Sequence, residues 1–181
     1  VAVAISGSTI AVGASGEDGN GVDSGSVYIY QRYFDSRWED AEVVMQASDG
    51  MAGDKFGESV AVSGGLLVVG APGKGGAGGV YVYRGDLSLS AWTEENSITA
   101  VDMAMDDDLG GINGVAVSGA TVVAAARLDD DDEVNSGSVY LYHLGSDRKL
   151  VVTDHLSREL WSDSVASFLE GQLIGSSHSF T

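Results

Sequence analysis

The string Val3-Ala4-Ile5-Ser6-Gly7 returns as Val60-Ala61-Val62-Ser63-Gly64 and again as Val115-Ala116-Val117-Ser118-Gly119, with the Ser-Gly pairs 57 and then 55 residues apart. A degraded fourth copy follows at Val165-Ala166-Ser167-Phe168-Leu169-Glu170-Gly171. A second string lies downstream in each complete unit: Ser26-Val27-Tyr28-Ile29-Tyr30, Gly79-Val80-Tyr81-Val82-Tyr83 and Ser138-Val139-Tyr140-Leu141-Tyr142. Two unrelated strings recurring in one order mean an array of similar units. Each such unit buries its apolar face only against its neighbours.

Each unit reads as strands. Apolar runs between Val60 and Val69 are broken by Ser63-Gly64-Gly65, which is hairpin chemistry because glycine accepts positive φ. Gly70-Ala71-Pro72-Gly73 ends that hairpin, since proline cannot donate to a central ladder. Val80 to Tyr83 alternates aliphatic and tyrosine, the period of a strand with two different faces. A fourth strand is expected near Trp92–Val101, and near Trp38–Ala47 in the unit before it. No segment shows a helical period.

Four short antiparallel strands per unit predict an all-β fold of β-propeller blades, with about three blades present, a partial propeller. The repeats run approximately 1–55, 56–108 and 109–161, with 162–181 starting a fourth. Small residues such as Val60-Ala61-Val62 suit strands that converge on an axis, and the larger Tyr and Trp side chains come later in each unit.

Charge narrows the function. The 181 residues carry 27 acidic and 9 basic side chains, a formal net charge of −18. Nucleic-acid binding needs Lys and Arg to neutralise phosphates, so it is excluded, and cationic partners are favoured, divalent metals and proteins with basic surfaces among them. The absence of cysteine excludes disulfide scaffolds, zinc ribbons and thiol nucleophiles. The richest apolar stretch, Ala120 to Ala126, is too short to span a bilayer, so no direct membrane insertion is expected. The chain opens at Val1, already inside a strand pattern, and is expected to be part of a longer chain or a larger assembly that covers its open flanks.

Phe56-Gly57-Glu58-Ser59-Val60-Ala61-Val62-Ser63-Gly64, then Val69-Gly70-Ala71-Pro72, then Gly79-Val80-Tyr81-Val82-Tyr83, closely resembles an FG-GAP repeat, the blade of the integrin α-subunit N-terminal β-propeller. The resemblance runs along nearly the whole chain, but unevenly. The third unit has Ala124-Ala125-Ala126-Arg127 in place of Gly-Ala-Pro, and the fourth has Trp161-Ser162 where Phe-Gly falls. It implies a rigid, non-enzymatic module that binds other proteins in adhesion or assembly, outside the cytosol, with calcium-stabilised loops.

In integrin-type blades the calcium loop follows the Gly-Ala-Pro position. Here the corresponding loops are Gly16-Glu17-Asp18-Gly19-Asn20-Gly21-Val22-Asp23-Ser24-Gly25 and Leu128-Asp129-Asp130-Asp131-Asp132-Glu133-Val134-Asn135-Ser136-Gly137, which align without a gap at an offset of 112. Carried over residue by residue, the resemblance implies ligands Asp18, Asn20 and Asp23 with the Val22 carbonyl, and Asp130, Asp132 and Asn135 with the Val134 carbonyl. Calcium takes roughly six to eight oxygens, which alternating Asp and Asn with a carbonyl help to supply. Neither loop is a clean Asp-x-Asp-x-Asp-Gly match, and the competing reading is a solvated acidic turn. The second unit has Gly73-Lys74-Gly75-Gly76-Ala77-Gly78-Gly79 here, with no carboxylate, and is expected to bind no metal.

That stretch also spells Gly-x-Gly-x-x-Gly. A dinucleotide fingerprint must open a helix, whereas a strand follows here. His143, His155 and His178 lack metal spacing, and no Gly-x-Ser-x-Gly elbow accompanies the serines. Trp38, Trp92 and Trp161 are expected to pack between blades. A binding or scaffold module is therefore the leading reading. A structural subunit of a large complex comes next, then a carbohydrate-binding propeller, and last an enzyme-accessory domain.

Overall fold

A computed structural model describes residues 1–32, 43–86, 91–99, 104–130, 136–145 and 150–157. Its strands form three four-stranded antiparallel sheets, each in sequence order. The first sheet holds β1 (Ala2–Ser6), β2 (Thr9–Ala14), β3 (Ser26–Gln31) and β4 (Val43–Met45). The second holds β5 (Ser59–Ser63), β6 (Leu66–Ala71), β7 (Gly79–Asp86) and β8 (Ala91–Ile98). The third holds β9 (Val115–Ser118), β10 (Thr121–Ala126), β11 (Ser138–Leu144) and β12 (Leu150–Ser157). The only helical turn among the described residues is a 3₁₀ turn at Lys74–Gly76. The fold is all-β, a partial propeller of three blades.

The repeated strings become equivalent strands. Each Val-Ala-x-Ser string is the first strand of its sheet and each Tyr-x-Tyr string lies in the third. Two-residue loops close the first hairpins, and Gly7, Gly64 and Gly119 take φ of 58°, 57° and 56° there. Glycine reaches that region without a Cβ clash, so the Ser-Gly signature fixes the hairpin register. Among the described residues the fourth strands fall where the sequence pattern suggests: β4 (Val43–Met45) lies inside Trp38–Ala47 and β8 (Ala91–Ile98) overlaps Trp92–Val101. Matching register shifts fall beside Tyr83 on β7 and Tyr142 on β11.

β1 lies against β5, and β5 against β9, so the first strands of the blades converge as their small residues require. Alternation then divides the second sheet between two cores. Leu67, Val69, Tyr81 and Tyr83 pack with Phe56 against Ala11, Val27, Ile29 and Met45 of the first sheet. Leu66, Val68, Val80 and Val82 pack against Leu109, Val122, Ala124 and Tyr140 on the side of the third. Every residue of β6 is buried, because both its faces meet a neighbouring blade, whereas β2 and β10 bury alternate residues only. Trp92 packs on the first of these cores; Trp38 and Trp161 lie outside the described residues.

The Phe-Gly segment joins the blades. Phe56 N–H donates to the Ser24 carbonyl of the preceding blade, and Leu109 N–H donates to the Ala77 carbonyl in the same way. Gly57 and Gly110 then bond back to Gly70 and Ala125 of their own sheets. Two positions before the Phe or Leu, buried Asp54 and Asp107 accept the N–H of Met51 (2.9 Å) and Ala104 (2.7 Å). Each carboxylate thus folds the connector into the turn that presents the Phe-Gly segment. This is the role of Asp107 in the Asp106-Asp107-Asp108 run.

Candidate functional site: the loop rim

The loops after β2, β6 and β10 and the connectors after β4 and β8 share one rim, since they hydrogen-bond to each other across the blade boundaries. The opposite ends of the sheets include the tight turns Gly7-Ser8, Gly64-Gly65 and Gly119-Ala120, with exposed Arg32 beside the first of them. On the loop rim Asp18, Asp23, Asp106 and Asp130 are exposed. Exposed Val22, Met51 and Met105 lie among them. Of the rim's cations, Lys74 is bonded to Asp49 at 2.6 Å and Arg127 to Asp108.

The first loop is braced by its own hydrogen bonds. Gly25 N–H donates to the Glu17 carbonyl at 2.8 Å, Asn20 N–H to Ser24 Oγ at 2.9 Å, and Asp23 N–H to Asp18 Oδ1 at 3.0 Å. The Val22 carbonyl accepts Gly53 N–H from the next blade's connector, and the Asn20 amide donates to the Ala47 carbonyl. Asp23, at φ 53°, turns the chain into β3. The described ends of the third loop match: Gly137 N–H donates to the Asp129 carbonyl at 2.9 Å, and Ser136 Oγ donates to the same carbonyl.

The fold therefore brings Asp18, Asn20, Val22 and Asp23 together in one short loop. Asp130 is exposed at the start of the equivalent loop, and Asp132, Val134 and Asn135 lie outside the described residues. Among the described residues no three acidic or histidine side chains converge on a point where they could hold a metal. The first loop offers a cation two carboxylates, one amide oxygen and one carbonyl already engaged with Gly53. That donor set is compatible with a hydrated calcium ion, though the hydrogen bonds close the loop without one.

Sequence reasoning missed the residues that tie these loops to the sheets. Tyr28 donates to Glu17 Oε1 at 2.5 Å, and Tyr140 donates to Asp129 Oδ2 at 3.1 Å, each pair 11 residues apart. The gapless loop alignment sets Glu17 on Asp129 and Tyr28 on Tyr140, so the signal was present. The second loop has lost its carboxylate, and its tyrosine takes one from the preceding connector instead. Tyr81 donates to Asp49 Oδ1 at 2.6 Å, while Lys74 bonds the other oxygen and sits 4.8 Å from the Tyr81 ring centre.

Electrostatics follows this wiring. Hydrogen bonds from Lys74 and then Tyr81 hold the Asp49 carboxyl below the ordinary aspartate range. Burial, then Asp49, pushes the Tyr81 phenol well above the ordinary tyrosine value, and burial with Glu94 does the same for Tyr83. The hydrogen bond to Glu17 raises Tyr28. These phenols stay protonated as donors at neutral pH, a structural role rather than a proton-transfer one.

A cleft beside Asp108, Asn113 and Arg127 is lined also by Gly111, Ile112 and Ala125, and encloses about 60 Å³. That volume suits water rather than a substrate.

A family model described as FG-GAP repeat matches residues 1–30, 40–83 and 92–142. Among solved structures the chain is similar to Sqt1 of Saccharomyces cerevisiae, a propeller, with a TM-score of 0.52 and 16% identity over 86% of this chain. The match spans about a third of Sqt1, 34% of its length, and supports the fold alone. A search of curated proteins gives no match. With the family model covering most of its length, and Phe56-Gly57 and its counterpart Leu109-Gly110 seated as blade connectors, the chain belongs to the FG-GAP repeat family.

Proposed function

We propose that the chain is a non-enzymatic protein-binding module that recognises partners through its loop rim. The observation that carries this reading is the cluster on the loop rim, where exposed Asp18, Asp23 and Asp106 surround exposed Val22, Met51 and Met105. Exposed apolar side chains framed mainly by carboxylates suit a protein surface with basic and apolar groups, with charge steering the encounter. Bracing hydrogen bonds hold the loops in place before binding, which lowers the entropy cost of recognition. FG-GAP membership supports the same reading, with adhesion or assembly outside the cytosol as its setting. No helix among the described residues is long and apolar enough to cross a membrane.

Calcium belongs to the proposal as a second brace on the first loop, held by Asp18, Asn20, Asp23 and the Val22 carbonyl. It would neutralise the self-repulsion of the loop carboxylates. Selection of a displayed random-peptide library on the immobilised chain tests the rim. The expected ligands are rich in Lys and Arg and lose binding to an Asp18→Ser/Asp23→Ser/Asp106→Ser variant. Ligands of no consistent charge that bind this variant as well as the parent chain would overturn the reading.

A further inference from the structure

Among the described residues the methionines divide by their place in the fold. Met45, on β4, is 6% exposed and belongs to the core between the first two sheets, whereas Met51 and Met105 are 70% and 78% exposed. Both stand on the connectors that lead into the next sheet, Met51 opening the first connector's turn and Met105 one place further along the second. Met103 lies outside the described residues.

Their exposure is built into these turns. Asp54 accepts Met51 N–H and its own N–H donates back to the Met51 carbonyl at 3.2 Å, so the backbone is fixed while the thioether stays in solvent. Gly53 N–H donates to the Val22 carbonyl at 2.8 Å, which brings this turn against the first loop beside exposed Val22. Asp107 holds Ala104, and Asp106 N–H donates to the Gly76 carbonyl at 2.8 Å. The Met105 side chain then lies across Gly76 of the second loop, where a Cβ would meet its Cε at 3.2 Å. Two thioethers are thus held among the rim carboxylates.

A thioether differs from an aliphatic side chain in the same place, because its sulfur lone pair is nucleophilic and needs only access to react. We propose that Met51 and Met105 are oxidation sites for peroxides, and that their sulfoxides release a partner from the rim. The sulfur lone pair attacks one peroxide oxygen, the O–O bond breaks and an S–O bond forms. Sulfur is oxidised, the peroxide is reduced to water or an alcohol, and the proton of the transferred oxygen passes to the leaving one. The sulfoxide puts a polar oxygen where a partner's apolar groups are to be buried, and desolvating it without a donor costs free energy. Dedicated reductases return methionine sulfoxide to the thioether, so the change is reversible. The release rests on the rim being the binding surface; the assignment of the two sites does not.

Peptide mapping by mass spectrometry of the folded chain after dilute hydrogen peroxide tests the sites. Met51 and Met105 should gain oxygen well before Met45, with the melting temperature unchanged. Met45 oxidised as fast as Met51, or a chain that unfolds as Met51 and Met105 react, overturns the assignment. Binding of a selected Lys- and Arg-rich peptide reads the release. Its Kd should rise about tenfold after peroxide and return on treatment with methionine sulfoxide reductase. Peroxide should leave the Kd of a Met51→Leu/Met105→Leu variant unchanged. An equal loss in that variant, or no loss in the parent chain with both sulfoxides present, overturns the release and leaves the rim reading standing. A peptide that binds Asp18→Ser/Asp23→Ser/Asp106→Ser as tightly as the parent chain removes the rim reading, and the release with it.

Discussion

Tyr81 donates its phenolic proton to Asp49 Oδ1 at 2.6 Å, across the boundary between the second sheet and the connector that leads into it. In the first and third blades the equivalent tyrosine finds its carboxylate within its own loop, at Glu17 and Asp129. The three blades thus keep one interaction, tyrosine to carboxylate, by two different routes.

Acid should weaken the second-blade version. The folded chain holds the Asp49 carboxyl below its ordinary value of about 3.9, so its contribution is present above that pH and is lost as pH falls through the lowered value. Thermal melts from pH 5 downward should show a smaller pH dependence in Asp49→Asn than in the parent chain. Identical slopes would mean that the Lys74 and Tyr81 contacts do not favour the charged form.

Tyr140→Phe removes the donor to Asp129 from a side chain that is 1% exposed. A lost hydrogen bond to a charged group costs about 2 kcal/mol. Urea denaturation should show a lower midpoint with an unchanged slope. An unchanged midpoint would mean that the Asp129 carboxylate is satisfied equally well by its other neighbours.

Gly70→Ala should be more damaging than its one added methyl suggests. A Cβ at Gly70 would collide with the Gly110 carbonyl oxygen, which also accepts a 2.7 Å hydrogen bond from buried Ser59. Backbone meets backbone here, so no side chain can move aside, and overpacking of this kind costs about 1–3 kcal/mol. Gly13→Ala should behave alike against the Gly57 carbonyl. Gly64→Ala, where a Cβ meets nothing within 4 Å, is the control and should cost only the strain of its positive φ, about 1–2 kcal/mol. Equal losses at Gly64 and Gly70 measured by chemical denaturation would contradict the close blade approach.

Calcium should raise the melting temperature above that in EGTA, and magnesium should do so less. A site filled at about 100 times its dissociation constant adds about 2.7 kcal/mol to native stability. The rise should vanish in Asp18→Ala/Asp23→Ala and persist in Asp130→Ala. Equal melts in calcium and EGTA would leave these loops as hydrogen-bonded acidic turns.

The fold was legible because its signals are local. Ser-Gly pairs set hairpins, Tyr-x-Tyr alternation sets third strands, and both recur at fixed spacing. The fourth strands carry no repeated string, so only their approximate place was legible, and Ala91–Ile98 and Val43–Met45 fall there. The loop site was legible in composition but not in wiring. Asp18, Asn20, Val22 and Asp23 do share a loop, yet the acids gripped by tyrosine are their neighbours Glu17 and Asp129. The Lys74–Asp49 bond joins residues 25 apart on either side of a blade boundary, a contact that no local pattern announces.

Carboxylate footprinting of the chain with a selected basic peptide tests the binding rim most directly. Carbodiimide labelling of Asp18, Asp23 and Asp106, all exposed in the free chain, should slow together when the peptide is bound. Labelling of all three at the free-chain rate, with the peptide demonstrably bound, would contradict recognition through the loop rim.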